Sequence, residues 1–269
     1  SMAWFYEWQN LNQEGASKFS QAAKTIRAKS VSEMSNHSKR ILARLLYWWS
    51  NFEEVLDNMA QSNELLADSM VLLQSIDTSE GLDVRQDKAR LLMAMGGRSR
   101  RKGFFEEARE RQNQGLSLFR AFEDEWGKAF ALRKLGETAW YLGEYDEAKE
   151  WLKEGLAVSQ SLNALSPTAA SLYWLALVAA SQGELEYAEQ LVREGIPLHK
   201  ELNHQAGIAI GFGNLGTILT LQGRFVMANS LLLESIDIYH QLDNQFLFLR
   251  NKYSFVRAQI HLGNYSIGL

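Results

Sequence analysis

The chain has 269 residues, 46% of them hydrophobic and 22% charged, a balance that argues against disorder. Its net charge of −4 gives no basic footprint and argues against nucleic acid as a partner. The absence of cysteine excludes disulfides and thiolate zinc sites and fits a reducing cytoplasm.

Two prolines in the whole chain argue against an all-β protein, which needs many turn breakers, and leave long helices as the expected elements. No apolar run reaches the roughly 18 residues of a membrane span, and no signal peptide is visible. Ser1 before Met2 reads as a remnant of tag removal. Residues 4–27, WFYEWQNLNQEGASKFSQAAKTIR, read as the end of one helix and its partner, with Gly15 at a small-residue position.

From Gly103 onward the segments GFFEEA, GEYDEA, GELEYA, GRFVMA and GNYSIG begin at Gly103, Gly143, Gly183, Gly223 and Gly263, a constant step of 40. Phe105, Tyr145, Leu185, Phe225 and Tyr265 keep the same step, as do Ala108, Ala148, Ala188 and Ala228, then Gly268. Ala89, Ala129, Ala169 and Ala209 form another column, and Gly96, Gly136, Ala176 and Gly216 a further one. Each column has a physical reading. Ala129, Leu132, Leu135 and Gly136 follow helical spacing and define the buried stripe of a first helix. Small residues at Gly136 and Ala148 let two helices approach closely. Gly143 supplies the turn, because glycine accepts a positive φ cheaply, and Tyr145 and its equivalents plug the seam. The acid or amide after Leu162 and its equivalents suits the loop to the next unit. Ser166-Pro167 reads as a helix start, a capping side chain followed by proline at the first position. Between residues 37 and 84, Leu65, Ser75, Ile76 and Leu82 hold the register, but Asn63 stands at the turn-glycine position and Asp68 at the alanine position.

One such hairpin cannot bury its apolar face alone, so stacking has to supply the core. The run Leu-Gly, six residues, Gly-x-Tyr-x-x-Ala, six residues, Gly-Leu, at Leu135 through Leu156, resembles the tetratricopeptide repeat. Its step exceeds the usual spacing of about 34. The longer form resembles the repeat regions of kinesin light chains and of bacterial signalling ATPases of the MalT-like, or STAND, class. The aromatic segments WFYEW and RLLYWW are similar to the first repeats after the ATPase in that class. The resemblance implies an all-α, right-handed superhelical solenoid of antiparallel helix pairs, forming one domain over residues 1–269. Within it lie a partial repeat 3–36, a degenerate repeat 37–84, repeats 85–124, 125–164, 165–204 and 205–244, and a truncated repeat 245–269. Both ends read as cut, so the sequence reads as a piece of a longer bacterial, cytoplasmic protein whose effector domain lies outside it.

The resemblance also implies which positions line a concave groove: Arg90, Arg100 and Arg101, then Phe130, Arg133, Glu137, Trp140 and Tyr141, then Tyr173, Gly213, Thr217, Tyr253 and Arg257. The arginines are expected to form a basic patch beside an aromatic ledge of Trp140 and Tyr141, since arginine and aromatic residues dominate binding energy at interfaces. The helices after it are lined by small residues, leaving a hollow around Gly213.

No catalytic, cofactor or metal site is expected. Gly211-Phe212-Gly213-Asn214-Leu215-Gly216 matches a dinucleotide fingerprint, but its Leu215-Gly216 shares the mid-helix column of Leu135-Gly136. The five histidines show no zinc-helix spacing. Acidic pairs such as Asp146-Glu147 sit at helix starts, where the macrodipole favours them. Pro197, inside a second helix, is expected to bend it and so alter the local curvature of the superhelix. The expected function is a scaffold for a protein or peptide segment, acidic or aromatic, without nucleic acid or membrane. A small-molecule effector held over the hollow at Gly213, or self-association, are the alternatives.

Overall fold

The computed structural model describes residues 6, 11–27, 33–242 and 245–262, without the side chains of 80, 245–250 and 253. WFYEW apart from Tyr6, and the last column members, Gly263, Tyr265 and Gly268, lie outside the described residues. The described residues form helices α1 (Asn12–Arg27), α2 (Asn36–Val55), α3 (Met59–Gln74), α4 (Arg85–Arg101), α5 (Phe105–Ala121) and α6 (Glu125–Leu142). They continue with α7 (Tyr145–Ser161), α8 (Leu165–Ser181), α9 (Leu185–Glu201), α10 (Gln205–Leu221), α11 (Phe225–Gln241) and α12 (Gln245–His261). The residues group into two compact units, Ser1–Gly127 and Lys128–Leu269.

Connections of two or three residues join α4 to α5 in the first unit and the helices from α6 to α11 in the second, so neighbours within each unit run antiparallel. Gly103, Gly143, Gly183 and Gly223 all sit at positive φ, between 76° and 83°. At Gly143 the amide donates to the Trp140 carbonyl and the Glu144 amide to the Ala139 carbonyl, satisfying two of the free carbonyls at the end of α6. The alternate turns use Glu123, Asn163 and Asn203 at φ 51° to 54°. Asparagine adopts this region at less cost than glutamate. A Cβ added at Gly143 meets open space, so only backbone strain opposes it. Gly143→Ala should therefore lower stability by about 1–2 kcal/mol, and Glu123→Asn should raise it by less. Both read out as shifts of the urea midpoint at constant slope.

Close helix approach follows from the small-residue columns. A Cβ at Gly136 would lie 2.5 Å from Leu152 Cγ and 3.2 Å from the Ala148 carbonyl oxygen, and Gly216 meets Leu232 and Ala228 in the same way. In the first unit Phe52 packs against Phe19 at 5.6 Å between ring centroids and leaves no room for a side chain at Gly15.

Two local expectations are corrected. Asn63 is not in a turn but inside α3; the turn is Leu56–Asn58, with Asp57 at φ 63°. Without a turn glycine at 63, α2 ends early at Val55, α3 ends at Gln74, and the longer connection 75–84, with a 3-10 turn at Thr78–Glu80, restores the register. Ser166 does not cap α8: Ala164 is the N-cap, because Asn163 ends α7 at positive φ and the chain re-enters a helix at once. Pro167 still lies in the first turn, where its missing N–H is harmless. Pro197 lies inside α9, which runs from Leu185 to Glu201. The carbonyl of Arg193, four residues back, loses its helical donor there.

Candidate binding surface

Arg90, Arg100 and Arg101 belong to the first unit; Arg133, Trp140 and Tyr141 belong to the second. The basic run Arg98 to Lys102 is distributed around α4 by helical geometry and splits into different roles. Arg98 is 4% exposed. Its guanidinium donates to Ser62 Oγ at 2.8 Å and to the Ala94 carbonyl at 3.2 Å, and pairs with Glu54 at 2.8 Å. Burial draws its pKa down to about 10, so it stays charged at neutral pH. Arg101 is half exposed and pairs with the same Glu54. Arg100 is partly buried. Arg90 is exposed and makes no hydrogen bond or ion pair with any described residue.

In the second unit, α6 carries the expected cluster. Phe130 is exposed, with the Arg133 guanidinium 5.4 Å from its ring centroid and the Lys134 ammonium 5.7 Å away. Both cations pair with Glu137, which is 2% exposed. Glu137 is thus a buried anchor for two cations rather than a free acidic contact. One turn further, Trp140 meets Tyr141 edge-on at 4.9 Å and Trp174 of α8 at 5.7 Å. The Trp140 indole donates to Ser181 Oγ at 2.9 Å, which fixes the ring between successive first helices. Tyr141 remains 45% exposed. The ledge therefore has a locked part, Trp140, and an open part, Tyr141.

Tyr173 and Gly213 are placed differently from the expected groove. Tyr173 is 3% exposed and fills the slot left by Gly195 of α9 and Gly211 of α10, where a Cβ would come within 2.5 Å of its ring or hydroxyl. Burial beside Tyr239 raises its phenol pKa. Gly213 is covered by the Asn251 amide, 2.6 Å from where a Cβ would sit. That amide donates to Ser235 Oγ at 2.5 Å, which in turn donates to the Ala209 carbonyl at 2.6 Å. The expected hollow is filled by a buried polar chain. Thr217 donates to the Gly213 carbonyl at 2.9 Å. Arg257 is exposed, and the Tyr253 side chain lies outside the described residues.

Sequence reasoning passed over Arg40, Arg44 and Asp87. Asp87 is buried and accepts from Arg40 Nε and Arg44 Nε, each at 2.6 Å. The signal was present in α2 as Arg40 and Arg44 one helical turn apart, followed by Tyr47 and Trp48. Among the described residues there is no group of three metal-ligating side chains, and no helix is long and apolar enough to cross a membrane.

Residues 87–161 match the family model for the tetratricopeptide repeat. No curated protein matches the chain in sequence. Among solved structures the fold is similar to BtubC (BKLC) from P. vanneervenii, with a TM-score of 0.65 at 14% identity over 86% of this chain and 92% of that one. It is also similar to a Rap protein complexed with Competence and Sporulation Factor, with a TM-score of 0.64 at 16% identity over 94% of this chain and 73% of that one. A kinesin light chain from Podospora anserina with nearly identical TPR-like repeats gives a TM-score of 0.54 at 17% identity, over 68% of this chain and 90% of that one. Residues 87–161 are thus tetratricopeptide repeats, set in an all-helical chain that has the fold of TPR-like helical arrays.

Proposed function

We propose that this chain is a non-catalytic scaffold that binds a protein or peptide segment, serving as the sensing array of a larger bacterial regulator of the MalT-like kind. The observation that carries this reading is the aromatic cluster of α6 and α8, in which Trp140 and Trp174 hold Tyr141 at the surface. A rigid aromatic anchor loses little entropy on binding. Phe130 and its two cations, on the same helix, suit an acidic or aromatic partner. The Rap protein of similar fold was solved in complex with Competence and Sporulation Factor, which supports an array of this type holding a partner.

A fluorescence-anisotropy screen of labelled ten-residue peptides, acidic-aromatic against scrambled basic ones, tests the reading. The expected result is selective binding that Tyr141→Ala weakens by about tenfold, or roughly 1.4 kcal/mol. Equal affinity for both peptide classes, or an unchanged affinity in Tyr141→Ala, would overturn it.

A further inference from the structure

The connection between α3 and α4, residues 75–84, is longer than the three-residue turn between α4 and α5. Between α2, α3 and α4 there is a cleft of about 370 Å³, within the size range of small-molecule sites and near its lower end. Its floor is apolar, made by Ala43, Leu73 and Leu91. Tyr47 and Trp48, edge-on at 5.2 Å, form an aromatic wall. Arg44 and Arg90 line it together with the polar Ser69, Gln86 and Asp87.

The charges select the ligand. The Asp87 carboxylate is saturated by two guanidinium groups, so it offers nothing to a cation. Arg44 spends Nε and Nη2 on Asp87, which locks the guanidinium and leaves Nη1 for a further acceptor. Arg90, one helical turn after Asp87 on α4, is unpaired among the described residues. Two guanidinium groups, one pre-oriented and one free, suit a carboxylate, which arginine grips through paired N–H donors. A bare inorganic anion would leave the aromatic wall and apolar floor unused.

We propose that this cleft binds a small carboxylate carried on a single aromatic body, with the acid on Arg44 and Arg90 and the ring against Tyr47 and Trp48. The site is independent of the peptide reading above and would make the chain responsive to a low-molecular-weight effector. Isothermal titration of the full chain with indole-3-acetate and 3-phenylpropionate tests it, with uncharged tryptophol and ring-less acetate as controls. Saturable one-to-one binding of at least one aromatic acid is expected, weakened about tenfold or more both in Arg90→Ala and when the charge is removed. Acetate should not saturate. Tyr141→Ala should bind the acid normally, which separates this site from the peptide surface. Arg90 is exposed and unpaired, so its loss leaves the fold intact, and unchanged circular dichroism verifies this. Failure of both aromatic acids to saturate at millimolar concentration, or binding untouched by Arg90→Ala, would overturn the assignment.

Discussion

Arg98→Ala should destabilise the first unit by about 3–5 kcal/mol, the largest single effect anticipated for this chain. The guanidinium is buried where α2, α3 and α4 meet, and it serves Ser62 and the backbone of Ala94 as well as Glu54. Ser62 also donates to the Ser50 carbonyl at 2.7 Å, so one side chain ties three helices through a single polar knot. Removing it leaves Glu54 with only the half-exposed Arg101 and opens a cavity beside Ser50. Arg98→Lys keeps the charge but cannot reproduce the fork, and it should lose more than half of that stability. Urea unfolding of Arg98→Ala, Glu54→Gln and the double variant reads the coupling. Additive losses would contradict the knot.

Acid should weaken the second unit through His199. This ring is 3% exposed, packed over Gly207 at the start of α10 and 5.7 Å from Tyr173 between ring centroids. Burial, reinforced by His204 with Nδ1 to Nδ1 at 3.2 Å, draws its pKa down to about 4. One histidine of the pair donates and the other accepts, an arrangement that protonation of both rings would break. Above about pH 6.5 folded and unfolded states are both neutral there, and the contribution is complete. As the pH falls below 6.5 the unfolded chain takes up the proton first, and stability is lost until the folded pKa is passed. Between about pH 7 and pH 5 this amounts to roughly 2 kcal/mol. His199→Phe should flatten the dependence over that window, where most carboxylates remain ionised. A slope unchanged in His199→Phe would assign the acid sensitivity elsewhere.

These two sites also show where residues alone sufficed and where they did not. The repeat columns report backbone requirements, and they transfer directly: glycine at positive φ in every second turn, and Gly136 against Leu152. What escapes is any feature created by partners from different helices. Arg98 and Arg101 look alike in sequence and share one face of α4, yet the first is buried and the second, at the helix end, is half exposed. Tyr173 occupies a groove position by count, but two glycines on neighbouring helices draw it inward. The histidine pair spans a turn, at positions 199 and 204, so no helical spacing announces it. The degenerate stretch 37–84 misled for the opposite reason. Its hydrophobic columns held while the turn moved, since leucines fit either register and only the turn residue distinguishes them.

The proposed scaffold presents the first helices of its second unit to a partner. Hydrogen–deuterium exchange, with and without the tightest peptide from the anisotropy screen, tests it most directly. Added protection is expected on α6 and α8 around Phe130, Tyr141 and Trp174, and less of it in Tyr141→Ala at the same subsaturating peptide concentration. Protection confined to the second helices α7, α9 and α11 would contradict it.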